Sequence, residues 1–319
     1  MRSSLAAIAL ALAAGVLWGT LGLITHYLLD YGVSIMQLGI LRLGGAFVLT
    51  LLIAIALGRI HVLSLRQWGW LAAIGLVCQA LSSISFSSAV AGMGSSLAII
   101  MLCMGPLFTV AINRIFYRER LDIVSFLFVL LGLAGLTLTV LYSQGEQTGV
   151  VMFSRQWLSG LGWGLLSGVC YGLFPVFTRS LGQLDSWVIV SFSLGLGAAF
   201  LAPLQGTTSV GLSLHSDISV WILFVALILA PTVMADVLYV RAIAAGGPVL
   251  ATVFALIEIP ASVVFARWWL AVPVTAAQWA GIFLFCLGLT GLALRRNQNS
   301  SPVTEQSIIP ITQKEKHYE

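Results

Sequence analysis

The chain has 319 residues, of which 59% are hydrophobic and only 8% charged, with a mean hydropathy of +1.03. A soluble domain of this size carries about 25% charge, so water is not the main solvent of this surface. The net charge of +4 comes as single arginines set between apolar runs, which argues against nucleic acid as a partner.

In lipid each backbone polar group must be satisfied within its own segment, so long apolar runs read as helices. The period-two alternation of a lipid-facing barrel is absent. A helix needs about 20 apolar residues to cross the hydrocarbon layer. On that measure the sequence predicts an all-α integral membrane protein with ten transmembrane helices, at 6–29, 35–57, 68–90, 94–113, 122–142, 158–178, 186–205, 219–240, 247–268 and 275–294. Arg2 and the apolar run from Leu5 imitate a secretory signal, but the run continues to Leu29 and reads as the first span. The connectors are short, except 143–157 and 206–218. The polar segment 295–319 is expected to be a disordered tail.

Orientation follows from the cations. If the spans alternate, Arg2, Arg59, Arg66, Arg114, Arg118, Arg120, Arg179, Arg241, Arg295 and Arg296 fall on one side, and Arg155 and Arg267 on the other. Both termini are therefore expected in the cytoplasm, with the tail there too. Trp68, Trp70, Trp157, Trp187, Trp221, Trp268, Trp269 and Trp279 fall at span ends, as an aromatic belt predicts.

The chain repeats itself. At an offset of 153 (172 − 19), Gly15-Val16-Leu17-Trp18-Gly19 meets Gly168-Val169-Cys170-Tyr171-Gly172. Leu43–Phe47 meets Leu196–Phe200, and Ala89–Gly94 meets Ala242–Gly247, at the same offset. Gly132 and Gly135 match Gly288 and Gly291 at an offset of 156 (288 − 132). The sequence thus divides into two five-helix repeats, 1–145 and 146–294. An odd number of spans per repeat makes the second copy enter from the opposite face, an inverted arrangement typical of secondary transporters.

Three charges inside predicted spans stand out, because each is costly in lipid: Arg42, Asp236 and Glu258. Asp236 shares a helical face with Thr232 and Tyr239. It reads either as an anionic patch for an ammonium group or a proton, or as a charge paired with Arg241. Glu258 reads as a protonatable coupling group, or as a neutraliser of Arg42 or a cap for backbone opened by Pro260. Arg42 carries the fork that holds a carboxylate bidentately, or it pairs with a neighbouring carboxylate. Trp18 and Tyr171, flanked by glycines, form two walls of an apolar slot or pack helices. The serines of 82–88 line a wet path or bond back to their own helix. Pro106, Pro175, Pro231 and Pro260 each free a carbonyl and mark gating bends or packing kinks. The cysteines Cys78, Cys103, Cys170 and Cys286 lie inside apolar runs without CxxC spacing and read as packing residues. His26, His61, His215 and His317 lie near loops or the tail, and no catalytic grouping or phosphate-binding loop appears. Neither metal nor cofactor is expected.

These residues resemble the drug/metabolite transporter superfamily, specifically its EamA-type members. Trp18-Gly19, Leu41-Arg42, Pro106, Glu119-Arg120-Leu121, Gly132 and Gly135 carry the likeness in the first copy. Glu258 with Pro260 carries it in the second, where Ile259 intervenes in the family's Glu-Pro pair. Val272-Pro273 stands where the family has an acidic residue. The resemblance implies that spans one to four and six to nine enclose a central cavity, with spans five and ten flanking it. It also implies transport of small metabolites, often export of amino acids or their relatives.

The resulting expectation is a secondary transporter of the bacterial inner membrane, not an enzyme. Its substrate is a small amphipathic, amino-acid-like molecule moved by alternating access, with export taken from family analogy. Its other partners are a proton and the bilayer, and it is a monomer or homodimer. The substrate-binding residues are Trp18, Arg42, Tyr171, Asp236, Tyr239 and Glu258. A carrier for a quaternary or cationic amine such as choline is the alternative, and Arg42 decides: facing the cavity, it favours a substrate carboxylate. A membrane enzyme or scaffold without transport would need reactive groups gathered on one face.

Overall fold

The computed structural model describes residues 2–33, 35–60, 62–118, 122–142, 154–205, 217–271 and 273–299. The border between 1–145 and 146–294 lies outside them, as do Glu119, Arg120, Leu121, Val272, His61, His215 and 300–319.

Among the described residues every regular element is helical. The first half holds α1 (Arg2–Asp30), α2 (Ile35–Ala56), α3 (Leu65–Ala73), α4 (Ser82–Met93), α5 (Ser95–Cys103), α6 (Gly105–Tyr117) and α7 (Ile123–Leu141). The second holds α8 (Arg155–Arg179), α9 (Ser186–Leu201), α10 (Ile218–Ile228), α11 (Ala235–Gly246), α12 (Pro248–Ala255), α13 (Glu258–Trp269) and α14 (Ala276–Asn299). A π-helical segment, Ile74–Leu81, joins α3 to α4, and another, Leu229–Met234, joins α10 to α11.

Among the described residues eight helical runs are long and apolar enough to cross a membrane: Leu5–Asp30, Leu38–Ala56, Leu65–Met93, Leu97–Tyr117, Ile123–Leu141, Arg155–Arg179, Ile218–Gly246 and Pro248–Trp269. Ser186–Leu201 and Ala276–Leu292 are apolar but shorter. Eight of the ten expected spans thus reach the length of a crossing, and the other two, expected at 186–205 and 275–294, are shorter apolar helices. In the run expected at 186–205, the α-helix stops at Leu201 and continues as a 3₁₀ turn, Ala202–Gln205. Pro203 has no N–H to donate to the preceding turn there. The backbone of α14 runs through Asn299, but its apolar stretch ends before Arg295.

Two expected spans, 94–113 and 247–268, are broken in the middle. Met104 separates α5 from α6, and Leu256 with Ile257 separates α12 from α13. The cause is a proline just past each break. Pro106 and Pro260 cannot donate to Leu102 and Leu256, so the chain tightens: Leu107 N–H donates to Met104 O at 2.9 Å and Ile259 N–H to Leu256 O at 3.1 Å. Ahead of each broken run, Gly94 and Gly247 hold φ of +88° and +83°, a conformation open to glycine at no steric cost.

Helix starts repeat at the same spacing. Ser64 accepts from Gln67 N–H while the Gln67 side chain accepts from Ser64 N–H, forming a capping box. At 217 (64 + 153), Asp217 accepts from Ser219 N–H at 2.8 Å. Asp122 accepts from Ser125 N–H, and at 275 Thr275 trades the same bonds with Gln278. The cap survives although its chemistry changes.

Packing follows the duplication. The main partners of α1 are α11, α12 and α13, while those of α8 are α4, α5 and α6. Each half thus lends its first helix to the other half. α2 packs on α9, and α7 on α14. The contacts agree atom by atom. A Cβ at Gly19 would lie 3.0 Å from Glu258 O and 3.1 Å from Ser262 N; one at Gly172 would lie 2.7 Å from Gly105 O and 3.1 Å from Thr109 N. Positions 19, 258 and 262 map onto 172, 105 and 109 at the single offset of 153. Along the α7–α14 seam, glycine again meets backbone: a Cβ at Gly288 would lie 2.7 Å from both Gly132 N and Phe128 O. Small residues allow such approach where lipid gives no hydrophobic drive between helices.

Gly19→Val is therefore expected to lower stability by about 1–3 kcal/mol, because the new methyls meet Ala261 and backbone rather than movable side chains. Gly22→Val, one turn on, meets nothing within 4 Å and should not lower it. Melting temperatures of the two variants in detergent check the contrast.

Candidate functional site

The crossing of α1 over α12 and α13 places Trp18 inward. Its indole N–H donates to Asp236 Oδ1 at 3.1 Å. Its ring meets Tyr239 edge-on at a centroid distance of 4.9 Å. Tyr239 lies nearly parallel to Phe174, 5.8 Å away. The Tyr239 hydroxyl is 3.0 Å from Thr252 Oγ1, whose own proton goes to Pro248 O at 2.7 Å. Tyr239 therefore donates, and its ring is fixed at both ends.

A cavity of about 150 Å³ opens beside this group, lined by Trp18, Arg42, Leu43, Cys78, Gln79, Tyr171, Phe174, Leu194, Asp236 and Tyr239. Both halves contribute. Five of the six predicted binding residues are brought together here; Glu258 is not on the wall. It is the first residue of α13, half-buried, and within electrostatic reach of Tyr171, Tyr239 and Cys103. At the start of α13 its carboxylate also meets the N-terminal end of a helix dipole. Its counterpart Gly105 has no side chain, and the Tyr171 ring fills that space: a Cβ on Gly105 would overlap it.

Arg42 faces the cavity and interacts electrostatically with Asp236. Among the described residues it makes no hydrogen bond and no close ion pair. The pairings read from sequence as alternatives are thus corrected: Asp236 accepts from Trp18 rather than pairing with Arg241, which is exposed, and Arg42 interacts with Asp236 rather than Glu258. The ion pairs His26–Asp30 (3.6 Å) and Arg59–Asp185 (3.8 Å) sit at helix ends, away from the cavity. The Tyr171 hydroxyl is shielded from solvent and has no partner among the described residues.

The prolines differ in what they do. Pro106 and Pro260 start half-helices. Pro175 lies within α8, which runs on through it without a break. Pro231 lies in the second π-helical segment, where the Thr232 hydroxyl donates to Leu227 O at 2.9 Å. That bond supplies a donor next to the N–H that proline lacks, and it takes Thr232 out of the expected polar face with Asp236. Ser83 bonds back to Gln79 O at 2.7 Å, as the second reading of the serine run foresees. Cys78 and Cys103 are buried and free, and Cys78 lines the cavity. Cys286 is exposed, so it is no packing residue.

Sequence reasoning missed Leu43, Cys78, Gln79, Phe174 and Leu194. Gln79 had a signal, being an amide inside an apolar run. The π-helical turn that aims it inward had none.

A helical, multi-pass membrane protein whose two like halves enclose a cavity holding a cation and a carboxylate has the architecture of a carrier. The model of the EamA-like transporter family matches residues 5–141 and again 158–294, and the chain belongs to that family. The family's members are transporters. No curated protein matches the chain. A solved structure titled "Crystal structure of protein" shares the fold at a TM-score of 0.75 and 20% identity, covering 92% of this chain and 99% of that one.

Proposed function

We propose that this protein is a proton-coupled secondary transporter for a small amino-acid-like zwitterion, exporting it across the bacterial inner membrane with both termini in the cytoplasm. The observation that carries this reading is the pair Arg42 and Asp236 in one aromatic-lined cavity. A guanidinium offers bidentate donors to a carboxylate. A carboxylate beside Trp18 and Tyr239 suits an ammonium. Among the described residues the two attract each other without forming a close ion pair, which leaves the Arg42 guanidinium and the second Asp236 oxygen open to substrate. In this reading all ten helical runs cross the bilayer, including the two shorter ones, and the halves are inverted relative to each other. Exchange of the matched contacts between halves then opens the cavity to alternate sides. Glu258, outside the wall but close to Tyr171 and Tyr239, carries the proton.

The choline-like alternative draws on Asp236 and the aromatic rings, but a fixed cation in the same cavity opposes a substrate bearing only positive charge. The purified protein in liposomes, offered a panel of neutral amino acids and quaternary amines, distinguishes the two. Flux of amino acids with little flux of amines is expected. Flux of amines alone would replace this reading by the alternative, and no flux of either would remove the carrier reading.

A further inference from the structure

The cavity wall carries more hydrogen-bond donors than acceptors on one side. On the wall formed by α2 and the first π-helical segment stand Arg42 and Gln79. The side-chain amide of Gln79 makes no hydrogen bond among the described residues, although the residue is half-buried; its main-chain carbonyl accepts from Ser82 N–H and from the Ser83 hydroxyl. An amide has two N–H donors and a guanidinium five. These donors face the cavity and are spent on no protein acceptor among the described residues, so they are available to a ligand that supplies acceptors, at about 1.5–3 kcal/mol for each hydrogen bond made to a charged group.

Gln79 is also held in place. Gly197 of α9 leaves room for its stem: a Cβ on Gly197 would lie 2.6 Å from Gln79 Cβ and 3.2 Å from Cγ. The segment Ile74–Leu81 is π-helical, and such turns cluster at functional sites. Both Cys78 and Gln79 line the cavity, although they are adjacent in sequence. The counterpart of Gln79 in the other half is Thr232 (79 + 153), whose hydroxyl is already spent on Leu227. The free amide is therefore a one-sided feature.

Resting on the zwitterion reading above, we propose that Gln79 is a specificity-determining residue: its amide N–H joins Arg42 in holding the substrate carboxylate. The carboxylate of the substrate then lies against α2 and the first π-helical segment, and its ammonium lies toward Asp236. Recognition of the carboxylate is divided between a charge, which attracts it, and an amide, which fixes its plane.

The test uses the full chain in liposomes, with leucine and with isopentylamine, its analogue lacking the carboxylate. Gln79→Met keeps the unbranched stem and removes the amide. It is expected to raise KM for leucine about tenfold or more, the loss of one hydrogen bond to a charged group, while KM for isopentylamine changes less than twofold. Gln79→Glu places a second anion in the cavity and should reverse the preference, favouring the amine. Gln79→Asn serves as the folding control, since a shorter amide should retain part of the selectivity. A Gln79→Met variant with leucine KM within twofold of the parent, or with equal losses for both compounds, overturns the assignment while leaving the carrier reading intact. A parent protein that moves neither leucine nor any other neutral amino acid overturns both.

Discussion

Arg42→Met is expected to raise KM for a zwitterionic substrate about a hundredfold or more, since two charge-assisted hydrogen bonds are lost together. The protein should remain folded. Arg42 makes no hydrogen bond among the described residues, and methionine follows much of its stem through the same space. Removing a desolvated charge without a tight partner relieves a cost rather than adding one. Asp236 keeps the Trp18 indole at 3.1 Å in the variant, so its carboxylate is not left bare. With the cation gone, the cavity carries uncompensated negative charge, and flux of simple amines should rise. Counterflow measured for an amino acid and its matching amine, beside a melting curve, reads all three effects. Equal loss of both substrates would make Arg42 a structural residue and leave the substrate carboxylate without its main anchor.

Glu258→Gln should give a carrier that still exchanges substrate but no longer accumulates it in response to an imposed pH gradient. The amide is nearly isosteric with the carboxyl and keeps the start of α13 intact. It cannot take up or release a proton. Glu258 makes no hydrogen bond among the described residues, so substitution strands no donor. Flux measured across a series of external pH values should become flat. A variant that keeps the parental pH profile would move the coupling role to Asp236, the other carboxylate in the core.

Much of this architecture is legible in the sequence, for physical reasons. A run of about twenty apolar residues has few options in lipid other than a helix, which makes α1, α7 and α8 easy to place. The offset of 153 is visible because glycines at close crossings cannot be replaced: Gly19 and Gly172 meet backbone at matched positions. Trp18, Tyr171, Arg42, Asp236 and Tyr239 were found together because each is expensive or bulky within an apolar run. What the sequence hides is hydrogen-bond register. The π-helical segments Ile74–Leu81 and Leu229–Met234 lie within apolar runs that continue as α-helix, so composition does not mark them. Only the second carries a proline to hint at its geometry. Gln79 was overlooked for that reason. The breaks at Met104 and at Leu256–Ile257 likewise depend on one missing N–H each, and hydropathy is blind to them. A mid-span position suggests that Glu258 faces inward, but the break makes it the first residue of α13, outside the cavity lining.

The exchange of first helices also constrains how the protein is made. α1 is complete at Asp30, yet its main partners α11, α12 and α13 begin at Ala235, Pro248 and Glu258. While the ribosome works through the intervening chain, α1 must wait in the bilayer with its alanine- and glycine-lined flank covered only by lipid. Its mean hydropathy of 2.1 over the spanning window makes that wait tolerable. Assembly of the first half thus finishes only when the second has been inserted, and quality control would meet the nascent protein as a set of loosely associated helices rather than as a folded unit awaiting its twin.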